Sequence, residues 1–569
     1  MAVLTRAEAI AEVTAPGKPY ELTEISIRGV PCRVFVNAPE NLHTLFNINR
    51  SDTEFYIYDD ERYTFEDMYQ NAARLARFLV DEYGIEKGDR VAISLRNYPE
   101  WVVAFEAVTS IGAIAMCMNA LWEADELEYG MLHGGAKAII ADQERLDRIA
   151  QCENLSDLKI ITVRANNVPA GSTPISDIFA GETTTMPERS VLAEDDATIL
   201  YTSGSTGHPK GVVSTHRNVI SALFSWELDG AVGMHMLRAR LESEGKAMPT
   251  PEPPPYPPAM LLGVPLFHVA GSHAVLLQSF RSQRKIVAMY KWDAEKGAEL
   301  IERERISAFT GPAAMTGDMI EVAKRTDRDL SSLRSVGGGG APRAPEQVKK
   351  LAKTFGSGSP GTGWGMTETN AIGTGIGGED YLNHPESSGK CSPVLDMRIM
   401  DDDGHLHESG VRGELLIRGS SMFREYWDRP DANEESFIDG GWFRTGDVAT
   451  IDEEGYLYIV DRIKQLVIRG GENISCGEVE AAILEHPDVM EASVYGVPDE
   501  RMGEEVGVSL YARTDISEDD LSGFLVSRLA KFKIPKYFRF SNEALPRIAS
   551  GKINKRALRE EAVNELAGN

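Results

Sequence analysis

Short apolar runs and amphipathic stretches alternate along the first half of the chain. The runs "DRVAISLRN" and "AKAIIADQ" predict strands, because their apolar residues stand between turn residues, and "PEWVVAFEAVTSIGA" between them predicts a helix. The same order recurs where the strand-like "ATILYTS" precedes the helix-like "HRNVISALFSW". Strands that alternate with helices form a parallel sheet covered on both faces. The pattern therefore predicts an α/β fold of doubly wound sheets.

From about Ile399 the pattern changes to short alternating strands with tight turns, as in "RGELLIRG" and "GYLYIVDR". Such strands indicate antiparallel pairing, and we expect a small β-barrel-like subdomain here. Beyond residues 461–464, helical and strand-like segments are mixed in an α+β pattern. The sequence thus predicts a large N-terminal domain over residues 1–463 and a small, mobile C-terminal domain over residues 464–569.

The segment "EGKAMPTPEPPPYPPAM", residues 244–260, is rich in proline, so it is predicted to form neither a helix nor a central strand. Pro251 and Pro254 form a PxxP pair, which a partner that recognises polyproline helices would bind. A stiff surface insertion is the other interpretation, and we favour it. The role of the segment is left open by the sequence.

Composition narrows the class of protein. The chain has 569 residues, 42% of them hydrophobic, which exceeds one ordinary domain. Its formal net charge of -28 argues against nucleic-acid binding, and no apolar run has membrane-spanning length. Five cysteines form no CxxC pair, which is typical of a reducing compartment. Without a signal-peptide or lipidation pattern, the expected location is the cytoplasm.

The segment "YTSGSTGHPKG", residues 201–211, follows a predicted strand and is rich in hydrogen-bond donors. Pro209 stands where the common ATPase loop GxxxxGK needs its second glycine, and Gly211 stands where that loop needs a hydroxyl. The ATPase motif is therefore excluded. Backbone amides, hydroxyls and the Lys210 ammonium still suit a polyphosphate. An ordinary glycine-serine loop is the alternative.

Two other glycine clusters give weaker signals. "GSGSPG", residues 356–361, has the spacing of a dinucleotide fingerprint, but it follows a helix-like stretch and opens no helix, so we reject that function. "GGGGAP", residues 337–342, follows the strand-like "LRSV". Bare backbone there leaves space for a planar base or an acyl chain, and a flexible turn is the alternative.

Three further segments carry single candidate residues. In "GWGMTET", Trp364 can stack on a base, Thr367 can contact a phosphate and Glu368 can bind magnesium. Asp447 in "WFRTGD" can accept both ribose hydroxyls. Lys552 in "LPRIASGKINK" can bring a positive charge to a reacting centre. Taken singly, each residue also has a structural explanation, such as a core tryptophan, a helix cap or an exposed lysine.

Together and in this order, the motifs resemble those of the adenylate-forming (AMP-binding) superfamily, in its acyl-CoA synthetase branch. The set also includes "PLFHVAG" and "DRIKQLVIRGGENISCGEVE", and it spans the chain from about Tyr63 to Arg556. The resemblance implies ATP, Mg²⁺ and CoA, and a reaction in two halves. A carboxylate first displaces pyrophosphate from ATP, and a thiol then displaces AMP from the acyl-adenylate.

The resemblance assigns a role to each motif. Thr367 corresponds to the α-phosphate contact, Glu368 and Thr206 to the magnesium site, and Lys552 to the lysine that stabilises the adenylation transition state. His268 corresponds to the residue beside the substrate carboxylate, and a core histidine is the alternative. The residues expected to bind ATP or AMP are Thr202, Ser203, Gly204, Ser205, Thr206, Gly207, Lys210, Gly339, Gly340, Ala341, Pro342, Gly363, Trp364, Gly365, Met366, Asp447, Ile459 and Arg462.

The second half-reaction is expected to follow a rotation of the C-terminal domain. Lys464 corresponds to the hinge of that rotation. Gly470, Gly471 and Glu472 correspond to the CoA tunnel, where bare backbone leaves room for a thin chain. The residues expected around the acyl group are Phe267, Gly271, Ser272, Thr310, Gly311 and Gly338.

The identity of the acid is left open by the resemblance. "PLFHVAGSHAVLL" and "TGPAAM" are largely apolar, so we favour a hydrophobic acid such as a medium- or long-chain fatty acid. An arylalkanoic or steroid side-chain acid is the alternative substrate, and a carrier protein is the alternative acceptor to CoA. A catalytically inactive binding protein is disfavoured, because the motif residues are intact. Homodimers are frequent among the relatives, so a homodimer is a further expectation.

Overall fold

The computed structural model describes residues 4–155, 158–202, 209–248, 255–339, 345–355, 359–470, 472–548 and 551–566. The strands in these ranges are β1 Leu22–Ile27, β2 Val30–Phe35, β3 Glu54–Tyr58, β4 Glu61–Thr64, β5 Arg90–Ser94, β6 Ile114–Cys117, β7 Ala136–Asp142, β8 Lys159–Val163, β9 Thr173–Pro174, β10 Asp196–Thr202, β11 Lys210–Thr215, β12 Ala259–Leu262, β13 Lys285–Ala288, β14 Ala308–Gly311, β15 Ser335–Gly338, β16 Ser359–Thr362, β17 Thr374–Gly377, β18 Gly389–Cys391, β19 Leu395–Met400, β20 Leu406–His407, β21 Arg412–Gly419, β22 Glu425–Tyr426, β23 Phe437–Ile438, β24 Trp442–Ile451, β25 Tyr456–Arg462, β26 Val467–Arg469, β27 Glu472–Ile474, β28 Val489–Asp499, β29 Gly503–Ala512 and β30 Tyr537–Ser541.

The α-helices in the same ranges are α1 Arg6–Val13, α2 Leu42–Ile48, α3 Phe65–Asp81, α4 Pro99–Ser110, α5 Ala124–Gly134, α6 Gln143–Ile149, α7 Ile175–Phe179, α8 His216–Ser243, α9 Gln278–Ser282, α10 Ala294–Glu304, α11 Ala313–Arg325, α12 Pro345–Thr354, α13 Gly378–Asn383, α14 Pro430–Ser436, α15 Cys476–Leu484, α16 Glu518–Leu525 and α17 Lys555–Leu566. Within this described part of the chain, none of the helices combines the length and the apolar character that a membrane span requires.

The first sheet of the large domain has the strand order β22-β11-β10-β6-β5-β7-β8-β9. The strands from β10 to β9 pair in parallel, and helices such as α4 connect them, which confirms the predicted α/β alternation. β10 and β11 instead pair antiparallel, with Thr202 opposite Lys210. This hairpin places the two described ends of the predicted phosphate loop side by side.

The second sheet begins as a parallel sheet in the order β3-β13-β12-β14-β15-β16. From β16 onwards it continues through antiparallel strands as far as β24, β21 and β19. The antiparallel ribbons predicted beyond Ile399 are therefore an extension of this sheet. One expectation for residues 244–260 is wrong at its last two positions, because Ala259 and Met260 begin the central strand β12. Parallel pairing on both sides of β12 outweighs the local proline content.

Helix α4 forms the layer between the two sheets. It contacts β5 and β6 of the first sheet and β3 of the second, and all its residues from Trp101 to Ser110 are buried. A helix that is buried on every side belongs in such a position, and Glu106 is the one buried residue of α4 that carries an ionisable side chain. The Trp101 and Phe105 rings stack with centroids 5.2 Å apart. Both sheets are therefore fixed to one shared core.

The C-terminal region forms a five-stranded sheet in the order β27-β26-β29-β28, with β30 paired to β29. It has its own apolar core, which includes Val467, Val494 and Val508. β25 belongs to the second sheet of the large domain, whereas β26 belongs to the C-terminal sheet. The predicted hinge lies between these two strands. The mixed α/β fold with a large and a small domain is thus confirmed, and the boundary at Lys464 stays a prediction.

Candidate active site

A cavity of about 4050 Å³ lies at the carboxyl ends of β12, β14 and β15 and is lined by both domains. Active sites of α/β proteins commonly lie at this edge of a parallel sheet. The predicted site residues that line it are Thr202, Lys210, Phe267, His268, Thr310, Gly311, Gly338, Gly339, Gly363, Trp364, Gly365, Met366, Thr367, Glu368, Asp447, Ile459, Arg462 and Lys552.

The remaining predicted residues lie elsewhere or outside the described ranges. Gly271 and Ser272 are buried in a π-helical turn, Ala270–Leu277, and do not line the cavity. Gly470 and Glu472 lie in the β26–β27 hairpin, also away from the cavity lining. The residues outside the described ranges are Ser203, Gly204, Ser205, Thr206, Gly207, Gly340, Ala341, Pro342 and Gly471.

Asp447 is held from two sides at the cavity wall. The register of β24 and β25 places Arg462 opposite it, and Arg462 Nε lies 2.9 Å from Asp447 Oδ1. On the other side, the Trp364 indole Nε1 donates a hydrogen bond to Asp447 Oδ2 over 2.7 Å. The Asp447 residue is only 3% exposed. The carboxylate is therefore fixed in orientation, as a group that receives two ribose hydroxyls has to be.

The segment that carries Trp364 depends on two glycines. A Cβ atom on Gly363 would lie 2.3 Å from the carbonyl oxygen of Thr374, and one on Gly365 would lie 2.4 Å from that of Ala371. Only glycine allows so close an approach of two backbones. The short 3₁₀ turn Thr367–Thr369 follows directly and brings Thr367 into the cavity lining.

Glu368 is buried in the cavity wall and has a specific partner. The Tyr426 hydroxyl donates to Glu368 Oε1 over 2.7 Å, and burial raises the pKa of the Glu368 carboxyl. Lys210 Nζ lies 4.5 Å from the centre of the Tyr426 ring, a cation–π contact. Tyr426 was missed by the sequence analysis. It lies in β22 next to β11, a tertiary pairing for which the local sequence gives no signal.

Lys552 enters the cavity from the small domain. It lies in a turn closed by a hydrogen bond from the Ile548 amide to the Lys552 carbonyl, 2.8 Å. The pKa of its ammonium group is lowered to about 8, mainly by burial and also by the charge of Arg462, while the charge of Asp447 opposes the shift. A lysine in such an environment is ready to neutralise an incoming anion.

His268 faces the same cavity from the end of the β12 region. Its Nδ1 accepts a hydrogen bond from the Ala270 amide, 3.3 Å, so the other ring nitrogen carries the proton. Burial lowers the pKa of His268 to about 4, and Lys552 and His273 contribute to that shift. The ring is therefore neutral around pH 7. Ser272, predicted beside the acyl group, instead hydrogen bonds to His273 Nδ1 over 2.9 Å.

The family model of the AMP-binding enzyme matches residues 47–427, and that of the AMP-binding enzyme C-terminal domain matches residues 478–552. The chain is 34% identical to the long-chain-fatty-acid–CoA ligase FadD13 of Mycobacterium tuberculosis over 514 residues, which cover 88% of this chain and 93% of that relative. It is 32% identical to the feruloyl-CoA synthase of Amycolatopsis sp over 499 residues, or 87% and 93% of the two chains.

Solved structures give the same result for the fold. The fatty acyl CoA synthetase of Mycobacterium tuberculosis matches with a TM-score of 0.69 at 31% identity, over 92% of this chain and 99% of that chain. The o-succinylbenzoate CoA synthetase of Bacillus subtilis, solved with ATP and magnesium ion, matches with a TM-score of 0.75 at 27% identity, over 92% and 99%.

We predict that Trp364→Phe weakens binding of a non-hydrolysable ATP analogue about tenfold, because it removes a hydrogen bond to a charged carboxylate. Isothermal titration calorimetry measures the affinity. Trp427→Phe is the matched control, since the Trp427 indole donates to the His133 carbonyl, 3.1 Å, outside the cavity. Equal loss of affinity in both variants would show that the Trp364–Asp447 contact does not shape the nucleotide site.

Proposed function

Because the chain belongs to the AMP-binding enzyme family and is an adenylate-forming acid–CoA ligase, we propose that it activates a hydrophobic acid of the fatty-acid class. In the first half-reaction, a carboxylate oxygen attacks the α-phosphorus of ATP, and the bond to the leaving pyrophosphate breaks. In the second, the sulfur of the CoA thiol attacks the acyl carbon, and AMP leaves. The products are acyl-CoA, AMP and pyrophosphate. A carboxylate alone is a poor acceptor for a thiol, which is why activation comes first.

The apolar branch of the cavity carries the choice of acid. One face of α8 lines it, with Trp226, Gly233, Met236 and Leu237 at helical spacing. The same face carries two charged residues, Asp229 and Arg240, and both are neutralised by ion pairs. The opposite wall is formed by the parallel strands, including Ala308 of β14. Such a surface gains about 0.8 kcal/mol for each methylene group that it buries. This branch therefore supports a long apolar chain as the substrate.

The described side chains suit the first half-reaction. Lys552 and His268 line the same cavity as Thr367, and Lys552 is close enough to His268 for its charge to lower the pKa of the imidazole. This supports the assignment of the carboxylate and the α-phosphate to the space beside them. A fixed cation at that place stabilises the charge that develops in the transition state. Mg²⁺ prefers carboxylate oxygens as ligands, and Glu368 provides a carboxylate. Because burial of that carboxylate is costly, a bound cation would offset the cost. Thr206, its predicted partner, lies outside the described residues.

The second half-reaction needs the small domain in another position. Arg513 of the small domain pairs with Glu321 of α11 over 2.7 Å, and Gly551 lies beside Met315 of the same helix. These contacts hold Lys552 in the cavity, an arrangement suited to adenylation. Rotation about the region of Lys464 would withdraw Lys552 and bring the β26–β27 hairpin to the acyl-adenylate.

The first prediction from this function concerns the products. A panel of carboxylic acids incubated with ATP, Mg²⁺ and CoA should yield AMP and pyrophosphate in equal amounts, with medium- and long-chain fatty acids turned over fastest. Chromatography of the nucleotides and thioesters measures both. Release of ADP in place of AMP for every acid would refute the reaction class. Transfer to a phosphopantetheinyl protein without transfer to CoA would refute the acceptor.

The depressed pKa of Lys552 predicts a pH dependence. Only the protonated amine stabilises the transition state, so kcat/KM for pyrophosphate formation should fall as the pH rises through about 8. In Lys552→Arg the guanidinium stays protonated, so this fall should disappear even if the rate is lower at every pH. Pyrophosphate release followed across the pH range is the measurement. An unchanged alkaline limb in Lys552→Arg would assign the titration to another group.

The α8 wall predicts a chain-length effect. A Cβ atom on Gly233 has no neighbour within 4 Å, so the backbone accepts a side chain there, and Gly233→Phe adds a bulky ring to the cavity-lining face of α8. The kcat/KM for hexadecanoate should fall at least about tenfold, because several methylene groups lose their contact, while butanoate is little affected. Gly230→Phe is the control, since Gly230 is equally open but does not line the cavity. An equal effect on both acids would place the acyl chain elsewhere.

A further inference from the structure

Three cations lie close together in sequence at the junction of α9 and β13, and two of them are paired. Arg281 forms two hydrogen bonds with the Glu227 carboxylate, 2.9 and 3.0 Å. Lys285 lies 3.3 Å from carboxylates of both Glu54 and Glu304. These pairs neutralise the positive charge on either side of Arg284.

Arg284 has no such neutralising partner among the residues that the structure describes. Its Nε donates to Ser279 Oγ over 3.1 Å, and its Nη2 donates to the Val275 carbonyl over 3.4 Å, so both acceptors are uncharged. The side chain is mostly withdrawn from water, and this burial alone lowers the pKa of Arg284 to about 10, still well above neutral pH. A buried cation without a counter-ion is costly, which makes the site receptive to an anion.

The same side chain lines the cavity of the active site. Gln278, on the short helix α9 that precedes Arg284, also lines it and adds amide donors. Ala274, one turn before Gln278, also lines the cavity and is apolar. Of the charged residues on this side of the cavity, Arg6 and Arg240 are paired with carboxylates, those of Asp229 and Glu379, whereas Arg284 is not.

The strand register gives the length of that passage. Ile286 of β13 lies level with Met260 of β12, which lies level with Ala308 of β14. Arg284 is two residues before that row, and Gly311, beside the reacting end, is three residues beyond it. At about 3.3 Å per residue the separation is roughly 17 Å along the strands. Arg284 thus lies at the end of the sheet opposite the nucleotide site.

We propose that Arg284, assisted by Gln278, binds a second carboxylate at the far end of the acid, so that the preferred substrates are long α,ω-dicarboxylic acids activated at one end. This inference rests on the proposed function and specifies its substrate class. The apolar walls contact the methylene chain between the two acid groups. Arginine suits the far end because its planar fork of donors matches a carboxylate.

The test compares acids of equal length. For the wild-type enzyme, kcat/KM for hexadecanedioate should exceed that for hexadecanoate about tenfold or more, the usual effect of a charge-assisted hydrogen bond in a site shielded from water. This exceeds the statistical advantage of having two equivalent ends. Arg284→Gln should reduce the ratio to no more than the roughly twofold advantage of two equivalent ends, through a higher KM for the diacid at unchanged kcat, because the contact is equal in ground and transition states.

Arg281→Gln is the matched control, because the guanidinium of Arg281 is already paired with Glu227. This variant should keep the preference for the diacid. Thermal unfolding checks that both variants fold. The proposal fails if the wild-type enzyme does not prefer hexadecanedioate, or if Arg284→Gln keeps that preference. It also fails if ω-hydroxyhexadecanoate matches the diacid, since a neutral oxygen would then suffice. Turnover of monocarboxylic acids without a preference for diacids would refute this proposal alone, whereas the absence of AMP with every acid would refute the proposed function.

Discussion

The burial of one ammonium group, that of Lys552, is the constraint on which the rest of the active site depends. Removing a charge from water is costly, and the lowered pKa of Lys552 reflects that cost. Asp447 offsets part of it, but Asp447 is itself bound to Arg462 and Trp364. On the proposed function, anionic substrate groups supply the remainder. The position of the small domain in which Lys552 lies in the cavity is therefore linked to the charge of the bound substrate. A change in that charge alters the balance between this position and other positions of the domain.

The fold was largely predictable from the sequence, because its signals are local. Apolar runs of strand length around "DRVAISLRN" and the mainly apolar α4 leave few alternatives for a buried layer. The start of β12 shows where local signals fail. Ala259 and Met260 follow a run of prolines, and their conformation is set by β13 and β14, which come later in the chain. Pairing between distant strands cannot be inferred from composition.

The candidate site was predictable in its motifs but not in its contacts. Trp364 and Asp447 were each expected near the nucleotide, yet the hydrogen bond between them joins residues 83 positions apart. Tyr426 and Arg284 belong to no motif of the resemblance. Tyr426 matters because its hydroxyl binds the buried carboxylate of Glu368. Arg284 matters because it is buried and has no counter-ion among the residues described. Both features arise only when the chain is packed.

The pairing of β11 with β22 has a mechanical consequence. Lys210 begins β11 directly after the phosphate loop, and Val212 of the same strand pairs with Tyr426, whose hydroxyl binds Glu368. On the proposed function, departure of the pyrophosphate removes negative charge beside Lys210, and the strand pairing transmits any resulting shift to the carboxylate that serves the metal. On that function, one strand pairing links the site that product leaves to the carboxylate expected to bind the metal, and this link does not depend on movement of the domains.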